Sequence, residues 1–249
     1  MIEEFIKYTD SYKKYGKMID LKISHTFRVK DLCIEIAKSL ELNKEEQDLA
    51  ALCGLLHDIG RFEQYKRYKS YKDLETVDHG NLGEEILKEN GFISKFTSNN
   101  QDIVLKAVKY HNKYKVPNTL SDKNKLFINI IRDADKMDIL FLVSKKKINV
   151  KTENSKMSEN VYNNLLNGKL IKKGEVKTKA DIIAIYLGFV FDLNYEISYK
   201  IIKEKGYFDK IINNQIKETN NDELKEQLKV LHKVVNKRIE EMILCTEVA

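Results

Sequence analysis

Chain breakers are scarce in this sequence of 249 residues, which holds ten glycines and a single proline, Pro117. So few turn-makers exclude a many-turned β fold and favour long helices. Cysteine is scarce as well: Cys33, Cys53 and Cys245 form an odd set with no CxxC spacing. That excludes a disulfide framework and a thiolate zinc site. Cys33 and Cys53 fall on apolar helix stripes, as small core residues do. The longest apolar run, Ile182 to Phe191, is too short to span a bilayer. Met1 leads into Glu3-Glu4, unlike a secretory leader. The expectation is a soluble protein in a reducing, cytoplasmic setting with no membrane partner. Internal repeats are absent and strand signals are weak. Uniform charge blocks are missing too, for Lys alternates with Glu or Asp as on solvated helix faces. The 44 basic and 38 acidic residues leave a net charge of +6. That mild excess suits an anionic substrate and argues against a nucleic-acid-binding tail.

What is present is a helical pattern. Apolar residues make up 42% of the chain, enough for one large domain, or a domain with an appendage, around a sizeable core. Residues 1–19, rich in Tyr and Lys, read as a helix plus a loop. A helix over 20–40 puts His25, Val29, Leu32, Ile36 and Leu40 on one face. The next helix starts at Asn43, with Asn43 as N-cap and Glu46 as its N3 partner, and runs to 58. The segment 61–77 interleaves Arg61, Lys66, Arg67, Lys69 and Lys72 with Tyr65, Tyr68 and Tyr71. It reads either as a charged surface element or as a lid whose cations meet phosphate and whose tyrosines meet a ring. Asp78-His79-Gly80 opens a helix that Gly91 stops, and Asn99 or Asn100 caps one ending near His111. A helix over 123–143 places Asp135 among Ile128, Ile131 and Leu142. Residues 145–178 are polar and read as a hairpin or flap. A helix over 179–204, a short piece with Phe208 and Ile212, and a helix over 222–244 complete the chain. His232 lies one step off the stripe of that last helix and reads as a surface residue without a role.

The stretch 55–61, Leu-Leu-His-Asp-Ile-Gly-Arg, is the most informative. It ends the apolar stripe Leu49, Leu52, Cys53 and Leu56. Neighbours on a helix diverge by about 100°, so His57 and Asp58 would not reach one ion from mid-helix. At a helix end, with Gly60 as candidate C′ residue, both could turn to one point. Burying such a pair is costly unless something compensates it, and a cation would. The same logic extends further. Of the five histidines, His25, His57, His79 and His111 all lie near the ends or on the apolar faces of four successive helices. Asp58 and Asp135 do likewise. One histidine on a core stripe is an ordinary satisfied core residue, but six such groups on one bundle suggest a common centre. Imidazole with carboxylate and no thiolate suits iron, manganese, nickel or cobalt, with zinc or magnesium also allowed. Six ligands exceed what one open ion takes, so two ions about 3.5–4 Å apart, with a carboxylate between them, are expected.

Over residues 20–145 these motifs resemble the HD-domain superfamily of metal-dependent phosphohydrolases. His25, His57-Asp58-Ile59-Gly60-Arg61, His79-Gly80-Asn81-Leu82-Gly83, His111 and Ala134-Asp135-Lys136-Met137-Asp138 carry the resemblance in order. It implies an all-α orthogonal helical bundle in residues 1–145, with 146–249 as a helical extension that covers the cleft or forms a subunit contact. It further implies His25, His57, Asp58 and Asp135 around one metal, His79 and His111 on a second, and Asp58 bridging. Asp138 looks structural. The subgroup that cleaves cyclic di-GMP carries a His-His-Glu and a Gly-Tyr-Pro segment. Here Tyr110-His111-Asn112-Lys113 stands instead and no Gly-Tyr-Pro occurs, which argues against that substrate. That subgroup also has a lysine where Arg61 stands, and an arginine cannot give up a proton near pH 7.

The reaction so implied is hydrolysis of a phosphate ester of a nucleotide or small phosphorylated metabolite by a metal-activated water. Asp58 and Arg61 are catalytic in this reading, and Arg61, Lys66 and Arg67 offset charge on the phosphoryl group. Two alternatives stay open: a di-iron oxygenase on the same fold, and a non-catalytic nucleotide-binding regulator. Substrate identity, the leaving-group acid and whether the chain forms homo-oligomers stay open as well.

Overall fold

A computed structural model describes residues 1–244; Cys245 lies outside them. The described chain is all-α, with no strand among these residues. It divides into two compact units, Met1–Asp135 and the described part of Lys136–Ala249. No described helix is long and apolar enough to cross a membrane.

The first unit holds α1 (Ile2–Asp10), a 3-10 turn (Lys13–Tyr15), α2 (Lys17–Ser39), α3 (Lys44–Leu56), α4 (Ile59–Tyr68), α5 (His79–Glu89), α6 (Ser98–Tyr110) and the start of α7 (Asp122–Ser144). Antiparallel packing of α2 on α3 is its spine. Val29, Cys33, Ile36 and Ala37 of α2 and Ala50, Cys53 and Leu56 of α3 are fully buried. Asn43 and Glu46 form the expected capping box at the start of α3. At α6 the cap is not Asn99 or Asn100. Thr97 Oγ1 accepts the Asn100 N–H instead, so the helix begins at Ser98. An aromatic cluster of Phe5, Tyr8, Tyr12, Phe62 and Phe92 secures α1 through edge-on contacts and one tilted one, Tyr12 on Phe62, each adding about 0.5–1.5 kcal/mol beyond area burial.

The break in the middle of this unit is not the one the sequence suggests. Gly60 is no C′ residue: it lies inside α4, and Asp58 (φ −101, ψ 17) makes the bend between α3 and α4. Close approach is what demands glycine there. A Cβ on Gly60 would sit 2.2 Å from the His79 carbonyl oxygen and 2.8 Å from the Gly83 nitrogen. Thus α4 and α5 cross backbone to backbone, and the start of α5 is pressed towards the His57-Asp58 bend.

In the second unit α8 (Glu159–Leu166), α9 (Asp181–Gly188), a 3-10 turn (Phe189–Phe191), α10 (Glu196–Lys205), α11 (Tyr207–Glu218) and α12 (Asp222–Leu244) follow the end of α7. Leu224, Leu228, Leu231, Val235 and Ile239 of α12 are buried. The expected single helix over 179–204 is broken. The buried Tyr199 hydroxyl donates to the carbonyls of Val190 (2.9 Å) and Leu193 (3.2 Å), folding α10 back on the end of α9. The polar stretch 145–178 is better packed than a flap, for Val150, Met157, Val161 and Leu165 are buried. Its organiser is Asp181, whose carboxylate accepts the N–H groups of Ser158, Lys177 and Thr178 and the Ser158 hydroxyl. His232 pairs with Asp209 across α12 and α11 at 2.5 Å.

Candidate metal centre

Four helix features aim the histidines of the first unit inward. His25 sits mid-way along α2 on its buried face. His57 caps the C-terminus of α3, and the α3–α4 bend turns Asp58 towards the same point. His79 is the first residue of α5, fixed there by the Asp78 cap and by Gly60. His111 caps the C-terminus of α6. Arg132 of α7 holds that last segment by donating to the carbonyls of His111 (3.2 Å) and Lys113 (2.5 Å). His25, His57, Asp58, His79 and His111 are each at most 4% exposed.

The six groups expected to converge do so. His25 Nε2 lies 3.1 Å from Asp135 Oδ1, 3.5 Å from Asp58 Oδ2 and 3.3 Å from His57 Nε2. His57 Nε2 is 3.5 Å from Asp58 Oδ2. On the other side of the same carboxylate, Asp58 Oδ1 is 3.3 Å from His79 Nε2 and 3.8 Å from His111 Nε2. Those two imidazole nitrogens stand 3.0 Å apart. Asp58 therefore offers one oxygen to the His25-His57-Asp135 group and the other to the His79-His111 pair. His25, His57 and Asp135 present ligand atoms within 4.8 Å of one another, as do His57, Asp58 and His111.

Protonation states follow from the outer contacts. His57 Nδ1 donates to the Gly54 carbonyl (2.7 Å) and His111 Nδ1 to the Val108 carbonyl (2.7 Å). A carbonyl only accepts, so in each neutral ring Nε2 carries a lone pair. His79 Nδ1 faces the Asp73 carboxylate at 2.8 and 2.9 Å, which likewise leaves its Nε2 as an acceptor. Burial pushes the His57 pKa down and, with the Arg61 charge, takes that of His79 to about 3. The carboxylates stay ionised. Burial alone would raise Asp58, but the Lys22 ammonium beside it holds it well below the usual range. Burial would raise Asp135 too, and its hydrogen bond with His25 outweighs it. Neutral imidazoles and ionised carboxylates are the forms that bind metals.

Three imidazole lone pairs and two carboxylates thus point at a common volume. Facing lone pairs 3.0 Å apart with no proton between them repel, and buried charge of one sign is costly. A divalent cation fits this donor set: His25, His57 and Asp135 could hold one together, as could His57, Asp58 and His111. Nitrogen and oxygen donors without thiolate suit a transition metal.

The three expected cations divide. Arg61 reaches the centre: its Nη1 bonds Asp73 Oδ1 (2.8 Å), Gln64 Oε1 (2.9 Å) and the Tyr71 carbonyl (2.6 Å), and its Nε is 3.5 Å from Asp58 Oδ1. Lys66 and Arg67 pair instead with Glu63 at 3.1 and 2.8 Å on the half-exposed face of α4. Four contributors gave no sequence signal. Asp73, in the loop 69–78, binds both His79 and Arg61. Gln64 donates to Asp73, Thr76 and Val77, pinning that loop. Asn112 donates to Asp78 (3.2 Å). Lys22, one turn before His25 on α2, has its Nζ 2.5 Å from Asp58 Oδ2.

Residues 23–140 match the family model of the HD domain. The chain is also 25% identical over 174 residues to the 3'3'-cGAMP-specific phosphodiesterase 1 of Vibrio cholerae serotype O1. That match takes in 65% of this chain but 37% of the relative, so the chain spans well under half of the relative's length. No solved structure matches the chain.

Proposed function

Since residues 23–140 of this chain form an HD domain, we propose that it is a metal-dependent phosphohydrolase. Its substrate in this reading is a phosphate ester of a nucleotide or small phosphorylated metabolite. The carrying observation is the meeting of His57, His79 and His111 Nε2 lone pairs with the Asp58 and Asp135 carboxylates. Divalent ions, if bound by these residues, would lower the pKa of a coordinated water and offer positive charge to a phosphoryl oxygen. The chain's own residues do the rest. Asp58 joins the two halves of the centre, and Asp73 fixes the His79 ring, as outer-shell carboxylates do. The Arg61 guanidinium, anchored by Asp73, Gln64 and the Tyr71 carbonyl, carries fixed positive charge beside Asp58 and offsets negative charge growing on a phosphoryl group. Residues 1–145 are the catalytic bundle in this reading and 146–249 a helical extension.

The named relative acts on a cyclic dinucleotide, which favours including phosphodiesters among the candidate substrates. Against a cyclic di-GMP reading, Asn112 follows His111 where a second histidine would stand, and its amide is spent on Asp78. The test combines elemental analysis of the purified protein with a phosphate-release screen over nucleotides, sugar phosphates and cyclic dinucleotides, run with and without oxygen. Bound transition metal and oxygen-independent release of product are expected, both lost in Asp58→Ala. Turnover by a metal-loaded Asp58→Ala protein would refute the assignment. Turnover that needs oxygen would point to the oxygenase instead.

A further inference from the structure

Among the described residues Lys22 is the one lysine paired with the central carboxylate, and nothing in the proposed chemistry yet uses it. Its Nζ sits 2.5 Å from Asp58 Oδ2, the oxygen that faces His25 and His57. Its side chain is 19% exposed while Asp58 is 2% exposed, so the ammonium stands between the buried centre and solvent. A second cation flanks the other oxygen: Arg61 Nε is 3.5 Å from Asp58 Oδ1 and is a buried N–H with no hydrogen-bond partner among the described residues. Both cations lie 5.7 Å from the centroid of the same ring, Tyr71. Tyr71 is itself held by its hydroxyl on the Met18 carbonyl (3.1 Å) and by packing on Tyr65 at 4.8 Å. The ring therefore fixes Lys22 and Arg61 as a pair on one rim of the centre.

Charge decides what that pair does. Asp58, Asp73 and Asp135 against Lys22 and Arg61 leave the centre one charge negative when the imidazoles are neutral. Two divalent ions would reverse this to three charges positive, and they need the very Asp58 oxygen that Lys22 holds. A lysine displaced from Asp58 is a mobile ammonium on a flexible stem, still tethered one turn from His25 and beside the unpartnered Arg61 N–H. The excess positive charge then calls for an anion at that rim.

We propose that Lys22 is a two-position phosphate contact, pairing with Asp58 in the unloaded centre and, once cations occupy it, binding a phosphoryl oxygen together with Arg61 Nε. This rests on the metal reading above and adds a residue and a position to it.

The experiment uses the full chain and two titrations followed by calorimetry: Mn²⁺ into metal-free protein, and inorganic phosphate into Mn²⁺-loaded protein. Lys22→Met removes the competitor for Asp58, so Mn²⁺ affinity is expected to rise up to about tenfold. The same variant loses a charge-assisted hydrogen bond to phosphate, so phosphate affinity is expected to fall tenfold or more. Lys22→Arg keeps the charge and is expected to retain phosphate binding within about threefold. Lys22→Gln replaces the Met variant if circular dichroism shows the latter unfolded. Opposite signs in the two titrations support the proposal, because a merely structural lysine would weaken both. Unchanged phosphate affinity in a Mn²⁺-loaded, folded Lys22→Met protein overturns it while leaving the metal reading intact. A wild-type chain that takes up no divalent ion overturns both.

Discussion

Gly60→Ala is the substitution through which the helix crossing can be tested against the centre it supports. The added methyl carbon would lie 2.2 Å from the His79 carbonyl oxygen and 2.8 Å from the Gly83 nitrogen. Carbon and oxygen touch at about 3.2 Å or more, so the first turn of α5 must retreat by roughly 1 Å. Both obstacles are backbone atoms of a buried helix, and neither can rotate out of the way as a side chain would. Overpacking of this kind costs about 1–3 kcal/mol. At about 2–4 °C per kcal/mol for a chain of this size, the melting temperature should fall by about 2–12 °C. His79 is the residue whose carbonyl is struck, and its Nε2 is placed 3.0 Å from His111 and 3.3 Å from Asp58. A shift of about 1 Å there should cost on the order of 100-fold in turnover. It should also weaken metal binding on the His79–His111 side more than on the His25–His57–Asp135 side. Gly174→Ala is the control, since nothing lies within 4 Å of its Cβ and its φ is ordinary. Differential scanning calorimetry and metal stoichiometry by elemental analysis read the outcome. A Gly60→Ala protein with wild-type melting temperature, stoichiometry and turnover would show that α4 and α5 do not cross as described.

Four further outcomes are expected. Asp73→Asn leaves the fold intact but deprives His79 Nδ1 of its carboxylate, so metal affinity measured by competition with a chelating dye should fall 10- to 100-fold; an unchanged affinity would remove Asp73 from the centre. Lys66→Ala and Arg67→Ala break only half-exposed pairs with Glu63, so kcat/KM should stay within about threefold and stability within about 1 kcal/mol; a tenfold loss would restore both to the substrate site. Asp181 is fully buried, and although burial raises its pKa, the N–H groups of Lys177, Thr178 and Ser158 bring it below the normal carboxylate value. A lowered folded-state pKa stabilises above the unfolded value, near 3.9, and that stability is lost as pH falls through the folded one. Asp181→Asn should therefore cost about 1–3 kcal/mol at pH 7 by urea denaturation, and the gap from wild type should narrow below pH 4; a gap constant with pH would refute the ionised assignment. Finally, Mn²⁺ at a hundred times its dissociation constant should stabilise the protein by about 2.7 kcal/mol, and chelator should reverse it; a melting temperature indifferent to both would contradict cation binding at this centre.

What could be read from the sequence, and what could not, divides along one physical line. A residue was legible when a local, periodic signal fixed its direction. Asn43 and Glu46 announce the start of α3 because a capping box is complete within four residues. His25, His111 and Asp135 could be assigned inward because each occupies a place in a 3.6-residue pattern of buried apolar neighbours. The bend at His57-Asp58 was placed correctly, but glycine's role in it was not. Gly60 answers to the backbone of His79, nineteen residues on, and no window around residue 60 contains that information. Tyr199 breaks the 179–204 stretch in the same way, by reaching back to carbonyls that an uninterrupted helix would have bonded itself. Asp73 and Gln64 were invisible because an aperiodic loop gives an aspartate no direction until its partners are placed. The same reasoning explains why the sequence drew attention to Lys66 and Arg67 and not to Lys22. Basic residues crowded near a metal motif suggest a site, but on α4 the intervening Glu63 takes both at i+3 and i+4. Lys22 lies on a different helix from Asp58, and only the packing of α2 on α3 and α4 carries its ammonium to the shared carboxylate. Side chains that end or face helices are thus written locally, whereas the charges around them come from tertiary contacts, and it is among the latter that differences in substrate between chains with the same convergent histidines and aspartates should be sought.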